Sequence, residues 1–268
     1  MDFKTFLDNI SLHEYVKNEV LKLVDEHKDE YSKYLSGLAD IKKGEATYQE
    51  LCNKYSLEDS SLNILAVYLL AAFNAYPKYQ RLGISDKVFI DTMKAFTRFV
   101  GENYERKNKY YFDRGFWTYR QTSMSLFRLG VLEFEFVDRD DVKKISIHIP
   151  SDSLLTKENI DNSFHQLEEF IVKYYPEYLG VDKYCDSWLL SERLKEHLKE
   201  GSRILLFQSY FDILEFDPYN MDVYEWIFKS TKEVRFEDLP EKTSLQRSVK
   251  QSFLKGRFIG KALGIVKK

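Results

Sequence analysis

The sequence predicts an α+β protein in two parts, a helical N-terminal domain over residues 1–127 and an α/β C-terminal domain over residues 128–268. Two observations predict this. Up to about Phe127 the apolar residues recur at helical spacing, as in Tyr15, Val16, Val20, Leu23 and Val24, and again in Val88, Phe89, Met93, Phe96, Phe99 and Val100. From Val131 the period falls to two: Val131-Leu-Glu-Phe-Glu-Phe-Val137 alternates apolar with acidic residues, and Lys144-Ile-Ser-Ile-His-Ile149 repeats the pattern.

The elements follow in order. Four or five amphipathic helices fit the first part, and Ser85 stands as an N-cap before the run that begins at Val88, with Asp86 in its first turn. The two alternating runs read as strands joined by a turn at Asp138 to Asp141. Pro150 ends the second strand. Ser151-Asp-Ser-Leu-Leu-Thr156 then leads into a helix over about Lys157 to Tyr175, closed by Pro176. Beyond it the spacing predicts a strand near Tyr184 to Leu190, a short helix over Glu192 to Lys199, strands over Ile204 to Phe211 and near Val223 to Phe228, and a helix from Ser244.

Composition removes several function classes. Apolar content of 44% and charged content of 31% belong to a folded globular protein. The longest apolar run, Ile64 to Phe73, is half the roughly 20 residues a bilayer helix requires, and MDFKTFLDNI mixes charge into its apolar residues, so no membrane segment or signal peptide is expected and the location expected is cytoplasmic. Lys and Arg total 40 against 43 Asp and Glu, evenly spread over both parts, which argues against a nucleic-acid partner. Cys52 and Cys185 lack neighbours at ligand spacing, and no two of the five histidines sit at helical metal-ligand spacing, so two reduced thiols and no metal site are expected. Phosphate-loop, nucleophile-elbow, zinc-helix and kinase signatures are all absent.

Two segments carry possible phosphate chemistry. Three of the 11 glycines, Gly256, Gly260 and Gly264, cluster at the C-terminal end, and Arg257-Phe-Ile-Gly260-Lys-Ala262 fits the [Q/R]xxGx[G/A] signature with which GNAT acyltransferases hold a cofactor pyrophosphate. Its other reading is a tight turn, or a smooth glycine face on a helix. The second segment is the glycine-free loop after the second strand. There Ser151, Ser153 and Thr156 offer hydroxyl and backbone donors at a helix N-terminus, beside the reading of an ordinary N-cap.

Longer stretches carry a family resemblance. Leu126-Phe-Arg-Leu-Gly-Val-Leu-Glu-Phe-Glu135, Ser146-Ile-His-Ile-Pro150, Asp186-Ser-Trp-Leu-Leu190, Ile204-Leu-Leu-Phe-Gln208 and Leu239-Pro-Glu-Lys-Thr-Ser-Leu-Gln-Arg247 resemble a bacterial family of predicted acyltransferases. Its members join a helical N-acyltransferase N-terminal domain to a GNAT-like C-terminal domain. The resemblance implies a GNAT-like mixed β-sheet with flanking helices over residues 128–268. It also implies acetyl-CoA or another acyl-CoA as co-substrate, with a small-molecule or peptide amine as acceptor. In this alignment Ile145 to Ile149 is the central strand that parts from its neighbour.

Direct transfer needs a base for the amine, and His148 and Glu135 are the candidates. His148 shares a strand face with Ser146, and Glu135 lies on the polar face of the preceding strand. Each also has a plain reading, a hydrogen-bonded strand histidine and a solvated carboxylate. Two other functions remain open at this point: a non-catalytic module that binds a small ligand or partner on the same framework, and a carbohydrate-directed protein suggested by 16% aromatics. A V-shaped opening beside His148 would favour the enzyme, and a closed sheet the binding module. Seven aromatics between Tyr104 and Tyr119, interleaved with Arg106, Lys107, Lys109 and Arg114, are expected to pack between the two parts.

Overall fold

The fold of the protein, a computed structural model, describes residues 1–140, 142–230 and 234–268. It divides into two compact units, Met1–Leu129 and Gly130–Lys268.

The first unit holds helices α1 (Phe3–Asn9), α2 (Glu14–Leu38), α3 (Gly44–Lys54), α4 (Ser61–Leu82), α5 (Asp86–Lys107) and α6 (Gly115–Thr122), followed by strand β1 (Leu126–Leu129). The long apolar run explains α4. Ile64 to Leu69, Ala71 and Ala72 are all buried, so this helix is apolar around its circumference because other helices enclose it. Its Tyr68 hydroxyl donates to the Gly115 carbonyl at 2.7 Å, satisfying a polar atom deep in the core. The expected cap of α5 is present, with Ser85 Oγ accepting from the Val88 amide. Six helices form where four or five were expected. The extra ones, α1 and α6, are two turns or so in length and too short for a clear periodic signal. Among the described residues no helix is long and apolar enough to cross a membrane.

The second unit contains β2 (Leu132–Arg139), β3 (Val142–His148), α7 (Lys157–Tyr174), β4 (Lys183–Ser187), α8 (Arg203–Gln208), β5 (Phe211–Asp217), α9 (Val223–Trp226), α10 (Ser244–Leu254) and β6 (Lys261–Val266). Its strands are ordered β2-β3-β4-β6-β5. Among the described residues of this unit only β3 and β4 pair in parallel, and α7 makes the crossover between them. The sheet is mixed and flanked by helices, as the family resemblance implied. Phe134 and Phe136 of β2, with Ile145 and Ile147 opposite them on β3, are buried on the face that α7 covers. There Phe134 meets Phe164 and Phe136 meets Phe170, at ring distances of 6.1 and 6.0 Å.

Several expected elements differ. Ile204 to Phe211 is not one strand: Ser202 Oγ caps the Ile204 amide, the chain turns as α8, and extended backbone begins only at Phe211. A four-residue apolar run fits either state, and the cap decides. The strand expected near Val223 to Phe228 is instead the short helix α9 and a turn, because Val223, Tyr224, Ile227 and Phe228 bury at one-turn spacing in a satellite core with Val249 and Phe253. The strand expected to reach Leu190 stops at Ser187, whose Oγ accepts from the Leu189 amide and starts a tight turn. The turn expected over Asp138 to Asp141 includes Asp141, which lies outside the described residues, and β2 extends through Arg139.

The C-terminal glycines form an exit from a helix into a strand. After α10 the Gly256 amide donates to Phe253 O and the Arg257 amide to Ser252 O, the paired bonds of a Schellman close with Gly256 at φ 72°. Gly260 follows at φ 71°, and a Cβ there would lie 2.3 Å from the Asp217 carbonyl oxygen. Gly260→Ala therefore combines left-handed strain with overlap against backbone, and should lower unfolding free energy by at least about 2 kcal/mol, read from the urea midpoint.

A second stability test is set by His197, whose Nδ1 lies 2.7 Å from Ser248 Oγ. Burial lowers the imidazole below its ordinary value of 6.5, opposed by Glu196. The folded chain then binds fewer protons than the unfolded one. This contribution is complete above about pH 6.5 and is lost as pH falls through the lowered value. His197→Gln should reduce the loss of stability between pH 7.5 and 5.5, measured by urea unfolding at both.

Candidate functional site

Strand alternation builds the site from the polar face of the sheet, the side away from α7. The β2–β3 register sets Glu133 opposite His148 and Glu135 opposite Ser146, so all four side chains share that face. His148 Nε2 lies 3.0 Å from Glu135 Oε2 on the diagonal, and both side chains are mostly buried. The two residues singled out as base candidates thus form one pair. An Nε2–H donated to the carboxylate fixes the tautomer in which Nδ1 takes up a proton, the arrangement by which a carboxylate orients an imidazole base.

Next to this pair the β3–β4 ladder stops. The β3–β4 ladder has two rungs, Ile145 opposite Lys183 and Ser146 opposite Tyr184, and it ends there although both strands continue. On its other edge β4 remains paired to β6 as far as Ser187 opposite Ala262. Because the Ile145 amide donates to Asp182 O, alternation turns the backbone of Tyr184 and Asp186 toward β3 as well. Beyond the last rung the Asp186 N–H therefore faces the ends of β3 and β4 that carry no ladder bond.

The loop from Ile149 to Thr156 lies at the end of β3 and leads into α7. Its hydroxyls serve the scaffold. Ser153 Oγ donates to the Val131 carbonyl at 2.6 Å, and Thr156 Oγ1 caps α7 by accepting from the Asn159 amide. Ser151 is exposed. The first two helical residues, Lys157 and Glu158, have no carbonyl one turn back, so their amides and the positive end of an 18-residue helix make this loop suited to an anion.

Arg257 and Gly260 stand elsewhere in the unit. The Arg257 guanidinium holds Glu196, with Nη2 2.9 and 3.0 Å from the two carboxylate oxygens. Gly260 packs on the Asp217 backbone and precedes strand β6, with no helix start behind it. Among the described residues no three His, Cys, Asp or Glu side chains converge as metal ligands would.

Sequence reasoning gave Tyr184 and Asp186 no role. The final rung places Tyr184 on the face of Ser146, and Asp186, two residues on, shares that face and pairs with Lys261 at 2.7 Å. The available signal was the Asp186 to Leu190 stretch within the family resemblance, which marks the point where β4 leaves the ladder.

This topology agrees with the family comparison. Residues 126–266 match the model of the GNAT-like C-terminal domain, and residues 1–124 match that of the N-acyltransferase N-terminal domain. The chain belongs to the GNAT-like C-terminal domain family. Solved acyltransferase structures share the fold. One, in complex with decanoyl-CoA and teicoplanin, is 21% identical with a TM-score of 0.80, covering 97% of this chain and 86% of that one. Another, in complex with CoA and 10C-teicoplanin, is 20% identical with a TM-score of 0.80 and the same two coverages. A third, in complex with decanoyl-CoA, is 17% identical with a TM-score of 0.72, and covers 99% of both chains. No curated protein matches the sequence.

Within the GNAT-like domain Cys185 sits on the α7 face of β4, fully buried. Burial pushes its thiol well above the ordinary range, and Asp186 adds to the shift. Cys52 is partly exposed. A thiol reagent at pH 8 should modify Cys52 in the native protein and reach Cys185 only in denaturant, as counted by mass spectrometry.

Proposed function

We propose that this protein is an acyl-CoA-dependent N-acyltransferase that transfers the acyl group directly to an amine on a small-molecule or peptide-like acceptor. The observation that carries this reading is the early end of the β3–β4 ladder beside the His148–Glu135 pair. A gap of this kind accepts an extended acyl-thioester arm between strand ends. The loop over Ser151 to Thr156 and the amides of Lys157 and Glu158 would take the pyrophosphate. That the similar acyltransferases were solved with decanoyl-CoA or CoA, two of them together with a teicoplanin, supports an acyl-CoA donor and an acceptor of peptide-like type.

The chain's residues divide the chemistry between them. The thioester supplies an activated carbonyl. His148, oriented by Glu135, takes a proton from the attacking amine as the N–C bond forms, and the Asp186 N–H donates to the oxygen where negative charge gathers. As the C–S bond breaks, the proton held on His148 passes to the departing sulfur, so the products are an amide and a free thiol. Arg257 is spent on Glu196 and Gly260 on a turn, which favours the Ser151 to Thr156 loop for the phosphates. The sequence left donor length open, as acetyl-CoA or another acyl-CoA, and the decanoyl-CoA complexes of the similar structures favour a longer chain.

Isothermal titration with acetyl-CoA, decanoyl-CoA and free CoA, followed by thiol-release assays with an amine panel, tests the reading. His148→Gln should keep donor affinity within about twofold and lower turnover by about 10²-fold or more. Equal turnover in the variant would remove His148 from the reaction. Absence of binding by any of the three at millimolar concentration would overturn the acyltransferase reading itself.

A further inference from the structure

The helical unit carries a second opening that acyl transfer does not use. It is a cavity of about 460 Å³ formed by the start of α2, the segment leading into α4, and the end of α5 with the residues just beyond it. Its aromatic wall is a stack of three tyrosines. Tyr110 lies 4.5 Å from Tyr104 at an interplanar angle of 21°, and 5.5 Å from Tyr15 at 26°. The Tyr110 hydroxyl sits 2.7 Å from His13 Nε2, which fixes the ring. Tyr15 and Tyr104 remain exposed.

The charge on the other walls is mainly negative. Glu19, Glu58 and Asp59 line the cavity, and none of them has an ion-pair partner among the described residues. The single ammonium there, Lys109 Nζ, is held on the backbone carbonyl of Glu58. The C-terminal end of α5, a 22-residue helix, adds partial negative charge at Asn108. Tyrosine faces attract cations through their ring quadrupoles, and the carboxylates disfavour anions at the same place. A bare metal ion is a poor fit, because one side of the cavity is lined by tyrosine rings where a hard cation needs oxygens on all sides. The volume also exceeds that of a simple ammonium ion several-fold.

We propose that this cavity binds an organic cation of the ammonium class, with its charge toward Glu58 and Asp59 and a flat or apolar portion against the Tyr15–Tyr110–Tyr104 stack. The site goes beyond the acyltransferase reading, since it uses neither acyl-CoA nor the His148–Glu135 pair.

The test is a calorimetric titration of the full chain with benzyltrimethylammonium chloride, with benzyl alcohol as the uncharged comparator. Saturable binding near the millimolar range is expected, at least about tenfold tighter than benzyl alcohol. The double variant Glu58→Gln/Asp59→Asn should weaken the cation by about fivefold, as should Tyr15→Ala. All of these side chains are exposed, and unchanged circular dichroism and melting temperature establish that each variant folds. Equal affinity for benzyl alcohol, unchanged affinity in the double variant, or no saturation at about 20 mM would overturn the proposal. Decanoyl-CoA titrated into the same double variant reads the transfer site separately, so failure of one site is distinguishable from failure of the other.

Discussion

A parallel ladder that stops after two rungs governs the architecture of the second unit. Each strand carries a row of amides and carbonyls, and a gap within a sheet leaves some of them without a strand partner. The fold tolerates this because β4 stays bonded to β6 on its far edge, through the last residue of the strand. β3 is likewise bonded to β2 along its length. The early end of the ladder is therefore a local feature between two well-supported strands.

Side-chain donors hold the backbone around that gap. Gln208 Nε2 donates to Leu189 O and Ser191 O, and Ser191 Oγ donates to Ile259 O, so α8 and the approach to β6 fasten the turn that ends β4. Farther along, Gln246 Nε2 takes Ile227 O while its Oε1 accepts from the Thr243 amide in a capping box. Lys250 Nζ donates to Glu237 O and Leu239 O. Gln208 and Gln246 fall within the Ile204 to Gln208 and Leu239 to Arg247 stretches that carry the family resemblance. Their role here is to bind loop carbonyls that no regular element satisfies.

Which parts were legible in the sequence follows from the range of the forces involved. The β2–β3 hairpin was readable because alternation is local, and the same alternation put Glu135 on the polar face of its own strand and His148 on a face with Ser146. That the two share one face and meet at 3.0 Å depends on the register between the strands. The helix over Lys157 to Tyr174 was readable from its cap and its closing proline. By contrast, α8 and α9 were read as strands because short apolar runs carry no period of their own, and burial against Phe253 or a cap at Ser202 settles them only in three dimensions. β6 was hidden behind glycines, which a turn and a strand that packs closely on Leu190 and Phe211 use equally well. The roles of Tyr184 and Asp186 depend on where a ladder ends, a property of two distant segments together.

The tether of the Ser151 to Thr156 loop has a thermodynamic consequence. Ser153 anchors it to Val131, whose own amide donates to Ser163 Oγ, and Asn159 Nδ2 holds Leu154 O from the first turn of α7. A loop bound at both ends to a strand and a helix has already lost most of its backbone freedom before anything enters. An anion seated there would meet amides that need little ordering, and so retain more of its interaction energy as affinity. Hydrogen exchange in this segment should accordingly resemble that of the adjoining helix more than that of a surface connection.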